Sequence, residues 1–264
     1  MIRKIIFSLA VATSLVSCSD IGKDERFIEI DSIEAQRVVL LEDFTGQECV
    51  NCPAAHEIIE NLVKQYPEVL VPVSIHAGGF SIPATNRRPG LGQAEGEHYN
   101  SIYGINEYPK GVVNGNSGNL NPEKWGDAVR NALQLPTSVD IDLSAAVSAE
   151  DATKIAIDCT ITSTANLQGT LQLWVLEDNI IAKQLTPAGM NNEYVHNHVF
   201  RSSVNGQDGE GITLQANTAQ PHSYTIAIRN TDKEKWVAEN LSIVAFIRQA
   251  DGGIAQVAKA HVKL

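Results

Sequence analysis

The sequence has little positive charge, few aromatics and few cysteines. Of 264 residues, 20 are Lys or Arg against 31 Asp or Glu, a formal net charge of −11, with 6% aromatic residues and four cysteines. The acidic balance argues against nucleic acid as a partner and otherwise serves solubility. No internal repeat and no low-complexity tract is present. No Ser-His-Asp order, phosphate-cradling loop or carboxylate dyad stands out, so hydrolase and kinase chemistry have no support. No segment after the first 17 residues is apolar enough for long enough to span a bilayer. What remains is an ordinary globular composition, with length for one large or two average domains.

The four cysteines divide by context. Met1-Ile2-Arg3-Lys4 and the apolar run 5–16 read as the charged and hydrophobic regions of a secretory signal. The run closes on Leu15-Val16-Ser17-Cys18, which resembles a lipobox. Residues 1–17 are thus expected to be a lipoprotein signal peptide and Cys18 the acylated first residue. Several acyl chains at one residue anchor stably. The alternative is an ordinary signal peptide with a chance cysteine. Residues 18–36 read as a polar tether, and whether the protein faces the periplasm or the cell exterior stays open.

From residue 37 to 135 the pattern alternates strand and helix. Val38-Val39-Leu40-Leu41 is a continuous apolar run of the kind buried on both faces of a sheet, and it leads through Asp43-Phe44-Thr45-Gly46 to Cys49-Val50-Asn51-Cys52. Ala55, Ile58, Ile59, Leu62 and Tyr66 then recur at helical spacing until Pro67. A strand over 69–75, a Gly- and Pro-rich loop over 78–92, a short helix over 94–103, Tyr108-Pro109 with a brief strand, and a helix opened by Asn121-Pro122-Glu123 complete the order. After the linker 134–138 the helical signal disappears. Seven strands are predicted at 139–147, 154–163, 167–176, 194–200, 223–229, 241–249 and 254–262, which suggests a β-sandwich over 139–264.

Cys49 and Cys52 are the residues that carry chemistry. At a strand-to-helix junction, orphan backbone amides and the helix dipole lower the pKa of the first thiol, so Cys49 is expected to be the nucleophile and the more exposed sulfur. Cys52, one turn on, can resolve a mixed disulfide. A metal reading stays open beside this, because His56 follows Cys52 by four residues and His76 ends the next strand. The absence of a second Cys pair disfavours it, and no metal or other cofactor is assigned. His56 reads as a surface helix residue, and His196 and His198 as a packed or hydrogen-bonded pair sharing a strand face. Cys159 lies in phase with isoleucines and reads as a buried small hydrophobe. Arg87 and Arg88, in the long loop after the cysteines, are expected to flank them and contact substrate; a solvated insertion is the alternative.

The approach to the cysteines is similar to thioredoxin, with an acid six residues before Cys49 and a Phe after it. That resemblance implies an α/β thioredoxin-like domain over 37–135 followed by the all-β, immunoglobulin-like sandwich. It also implies Asp43 as the buried acid that exchanges a proton with Cys52, and Pro109 as a cis-proline against the disulfide, with Tyr108 offering backbone to an extended substrate. Val50-Asn51 between the cysteines and Pro53 after them depart from that pattern and leave the direction of reaction open. The lipobox, Glu42-Asp43-Phe44-Thr45-Gly46 before Cys-x-x-Cys-Pro, Ser74-Ile75-His76-Ala77-Gly78 and Tyr194-Val195-His196-Asn197-His198 together resemble the 28-kilodalton outer-membrane lipoprotein family of Bacteroidetes. The expected activity is thiol-disulfide exchange in the cell envelope, with cysteine-containing envelope proteins or a redox partner as clients. The alternatives are a non-enzymatic surface or adhesion lipoprotein with a structural disulfide, and a copper- or zinc-binding protein.

Overall fold

The computed structural model describes residues 37–84 and 90–264. Cys18, Arg87 and Arg88 lie outside the described residues. Strands β1 (Val39–Thr45) and β2 (Leu70–His76) are buried along their whole length, their apolar openings Val39-Leu40-Leu41 and Leu70-Val71 as expected and Glu42, Asp43, Thr45, Ser74 and His76 with them. They run parallel with Thr45 opposite His76. Parallel neighbours need a crossover, and helix α1 (Cys52–Gln65) supplies it. Pro53 sits in its first turn, where a missing N–H costs nothing. Ala55, Ile59 and Leu62 of this helix pack on Val39 and Leu41 of β1. Helix α2 (Ala94–Ile102) leads to β3 (Lys110–Val113), antiparallel to β1, and α3 (Trp125–Leu133) packs beside α1 after a 3-10 turn at Pro122–Lys124.

The remaining strands are β4 (Val139–Val147), β5 (Lys154–Ser163), β6 (Leu167–Glu177), β7 (Ile180–Thr186), β8 (Gly189–His196), β9 (Val199–Ser203), β10 (Glu210–Leu214), β11 (Gln220–Ala227), β12 (Leu241–Arg248) and β13 (Ile254–His261). They correct the expected fold class. In place of a thioredoxin-like α/β domain followed by a separate immunoglobulin-like sandwich, one mixed eight-stranded sheet takes strands from both halves, in the order β13-β12-β6-β9-β2-β1-β3, with β10 also on β6. The described residues accordingly form one compact unit. The junction is at β2 and β9, where Ser74 pairs with Val199 and its N–H donates to the His198 carbonyl at 2.8 Å.

Two physical reasons favour the merged sheet. An edge strand as apolar as β2 is a liability unless covered, and β9 covers it. Strand β12 (Leu-Ser-Ile-Val-Ala-Phe-Ile) is buried on both faces, whereas a sandwich strand with one solvated face alternates. The core follows suit: Leu40, Phe44, Val73 and Ile75 share one cluster with Trp174, Phe200, Val244 and Phe246. Trp174 is its centre, with Tyr99, Phe200 and Phe246 ring centroids at 4.8, 5.2 and 4.8 Å. A three-stranded sheet, β11-β5-β4, packs its alternating apolar face against β6, β10 and β12. Cys159 is buried and free within that layer, its thiol pushed up to about 12 by burial.

Candidate functional site

The turn between β1 and α1 carries the site. The Cys49 N–H donates to the Gly46 carbonyl at 3.1 Å, and Cys52 is the first residue of α1. Their sulfurs form a disulfide with the two Cα atoms 5.5 Å apart. Gly46 is there because the chain passes close by: a Cβ would stand 2.5 Å from the Phe80 backbone, whose carbonyl accepts from the Glu48 N–H at 2.9 Å. The Leu91 N–H donates to Gln47 Oε1 at 2.9 Å. Phe80 and Leu91 are thus both tied to the cysteine turn.

Neither sulfur is freely presented. Cys49 is 3% exposed and Cys52 0%. The cover is the β7–β8 hairpin from the other half of the chain. Gln184, fully buried, donates through Nε2 to the carbonyls of Cys49 at 2.9 Å and Gly46 at 3.2 Å. The Leu185 N–H donates to the Gln47 carbonyl at 2.7 Å, and Gln47 Nε2 returns a bond to the Lys183 carbonyl at 3.0 Å. This clamp has no local sequence signal, because its partners are more than a hundred residues apart.

Beneath α1 the sheet face is polar. Asp43, on β1, is fully buried, and neither carboxylate oxygen has a hydrogen-bond partner. Desolvation alone pushes its carboxyl up to about 8. His56 Nε2 stands 3.7 Å from Asp43 Oδ2 and 3.1 Å from Thr45 Oγ1, while its Nδ1 is 2.9 Å from the Tyr194 hydroxyl. His56 is thus not the surface helix residue its position suggests; its side chain is 16% exposed and links the buried acid to β8. His76 and His196 are each 2% exposed with ring centroids 5.3 Å apart. Burial drives all three imidazoles toward the neutral form: His56 down to about 3, His196 to about 4 and His76 well below its usual value. His198 does not share a face with His196, because the strand ends at His196. His198 takes a left-handed turn (φ 57°), and its Nδ1 lies 3.1 Å from Asp178 Oδ1.

Tyr108-Pro109 is a cis peptide that opens β3, with Lys110 opposite Phe44 at the end of β1 that leads into the cysteine turn. The Tyr108 hydroxyl donates to Asn100 Oδ1 at 2.5 Å, and its ring meets Phe80 edge-on at 6.0 Å. Among the described residues, no three His, Cys, Asp or Glu side chains already gather around one point, and no helix is long and apolar enough to cross a membrane.

Comparison with known proteins adds family and fold. The family described as outer membrane protein Omp28 matches residues 96–264, which include β8 with Tyr194 and His196 but not the two cysteines. No curated protein matches the chain. Among solved structures, HBP35 of Porphyromonas gingivalis is 17% identical, with 86% of this chain and 75% of that chain aligned at a TM-score of 0.65. That likeness runs across both halves, in keeping with the merged sheet. A domain of the outer membrane lipoprotein Omp28 from Porphyromonas gingivalis is 24% identical over 49% of this chain and 93% of that one, at a TM-score of 0.36. The family match covers well over half of the chain, and this protein, located at the outer membrane, belongs to the Omp28 outer membrane protein family.

Proposed function

We propose that the protein is a lipid-anchored envelope thiol-disulfide oxidoreductase, held to the outer membrane through Cys18 and acting through Cys49 and Cys52. The observation that carries this reading is Asp43: an unpartnered carboxyl with a pKa near 8, buried beneath the helix that Cys52 begins. Such a group costs stability and is common where proton transfer is needed. In the reduced protein the Cys49 thiolate attacks a client disulfide, forming a Cys49-client bond and releasing one client thiolate. Cys52 then gives its proton to Asp43 in its ionised form, whose share grows as pH approaches 8, and its thiolate attacks the Cys49 sulfur. The Cys49–Cys52 bond forms, and the client leaves with its second thiolate. Both electrons pass to the client, and the reverse sequence oxidises a client dithiol. His56, between Asp43 and Tyr194, gives the proton a path toward the cavity beside α1. In this reading Tyr108-Pro109 offers backbone to an extended client, and Arg87 and Arg88 contact that client.

One observation favours a second reading, a non-enzymatic surface or adhesion lipoprotein with a structural disulfide: both sulfurs lie under the β7–β8 hairpin. Thiol exchange requires that hairpin to open. Replacement of the resolving thiol separates the two readings. Cys52→Ser is expected to accumulate mixed disulfides with envelope proteins through Cys49, seen as reducible adducts on a gel, and Cys49→Ser to trap none. A structural disulfide yields no adducts in either variant, only a modest loss of stability, because so short a loop removes little chain entropy.

A further inference from the structure

The cavity beside α1 poses a problem that thiol chemistry does not explain. Its volume is about 450 Å³, and His56, His76 and His196 line it with Tyr194, Glu57 and Glu60. No ring nitrogen of His76 or His196 has a hydrogen-bond partner, although both side chains are almost completely buried. The backbone of Ser74, and that of Lys183 and Ala182, lies near the two rings without reaching hydrogen-bond geometry. A buried polar atom left unpaired costs roughly 1–3 kcal/mol. Four on two adjacent rings call for a ligand.

We propose that His76 and His196, closed by His56, bind a transition-metal ion of the zinc or copper(II) class. Neutral imidazole is the donor such ions take. With metal-to-nitrogen bonds of about 2.0–2.1 Å, two imidazoles on one tetrahedral ion stand roughly 5 Å apart between ring centres. His76 and His196 are at 5.3 Å. His56 is 6.4 Å from His196, about an ångström too far, and reaches the ion by giving up its bond to the Tyr194 hydroxyl. That displacement is why no three ligands are gathered before the ion arrives. The Tyr194 ring, 4.8 Å from His196, lies close enough to supply a fourth donor through the freed hydroxyl. Asp43 Oδ2 stands 3.7 Å from His56 Nε2, so the nitrogen that turns from Tyr194 toward the ion is Nδ1. Glu57 and Glu60 line the same cavity and favour entry of a cation. The site uses neither sulfur and holds whether or not the disulfide exchanges.

The test is titration of tag-free, disulfide-oxidised protein with Zn²⁺ and Cu²⁺ by calorimetry, so that neither an affinity tag nor free active-site thiols supply ligands. One equivalent is expected to bind. His76→Asn and His196→Asn should each weaken binding beyond the roughly 10- to 100-fold that losing an outer partner costs. His56→Asn should weaken it by about tenfold or more, and His222→Ala, on β11, should leave it unchanged. If the buried variants do not fold, ring-nitrogen NMR of the wild type reads the same point, since Zn²⁺ must shift the His76 and His196 resonances. Absence of stoichiometric binding, binding by folded His76→Asn and His196→Asn at wild-type strength, or shifts confined to other histidines would overturn the proposal.

Discussion

Replacing Asp43 by Asn should make the protein more stable and less active, and the gain in stability should depend on pH. The carboxyl is raised from 3.8 to about 8 by burial. Below pH 4 it is protonated in the folded and unfolded chains alike, and burial imposes no proton cost. Between about pH 4 and 8 the unfolded chain ionises while the folded one does not, so stability falls with rising pH by about 1.4 kcal/mol per pH unit. At pH 7 the loss amounts to about 4 kcal/mol, and above pH 8 it stays constant. Asn keeps the size and the unpaired polar atoms of the neutral acid, so the difference between the two proteins isolates the proton. Denaturant unfolding at pH 4, 5.5, 7 and 8.5 should show near-equal stabilities at pH 4 and an advantage for Asp43→Asn that grows to about 4 kcal/mol by pH 7. At 2–4 °C per kcal/mol that advantage is about 10 °C in melting temperature. The variant cannot take the Cys52 proton and should exchange disulfides more slowly, a trade of activity for stability. A stability difference that does not change between pH 4 and 8.5 would refute both the desolvated state of Asp43 and the role built on it.

Gln184→Ala removes the donor that holds the β7–β8 hairpin to Cys49 and Gly46. Each of the two carbonyls loses one bond and keeps one backbone donor, the Cys49 N–H on Gly46 and the Cys52 N–H on Cys49, so opening should become easier by roughly 1–2 kcal/mol and reduction of the disulfide by a small dithiol faster by about an order of magnitude. An unchanged reduction rate would mean that the hairpin does not guard the site. Trp174→Ala opens the cluster that joins the two halves and should cost about 3–5 kcal/mol. Because the halves share one sheet, all probes should report one cooperative transition; a first half that melts apart from the second would contradict the merged sheet.

Much of the local structure was legible, and little of the long-range structure. The expected strand over 69–75 and helix over 94–103 fall within a residue of Leu70–His76 and Ala94–Ile102, because each has its own apolar run or punctuation. The hairpin of β7 and β8 has no counterpart among the expected strands, apart from the last three residues of β8, 194–196, which fall in the expected strand 194–200. Gly189–Val195 is exposed or half-exposed, with polar Asn191-Asn192-Glu193 at its centre, and presents no alternation to read. The expected strand 194–200 is two strands, split by the left-handed turn at His198. β10, five residues with an internal glycine, owes its strand state to pairing with β6. The merged sheet had one visible cue, the unbroken apolar run of β12, which fits a strand covered on both faces better than a sandwich strand. At the site, the Cys-x-x-Cys spacing made the Cys49–Cys52 disulfide legible, and Asp43 is buried on the strand before it. The meeting of His56 with Tyr194 spans 138 residues, and that of Gln184 with Cys49 spans 135. No local pattern encodes contacts of that kind.

The reduction potential of the Cys49–Cys52 pair bears most directly on the proposed activity. Equilibration of the purified protein against glutathione and dithiol buffers, with the two redox forms separated by alkylation, gives the value. Working oxidoreductases span about −270 to −120 mV, and structural disulfides lie below about −300 mV. Thiol-disulfide exchange requires a potential within the first range, with folding retained after reduction. A potential below about −300 mV would contradict it and leave an outer-membrane lipoprotein whose disulfide is structural.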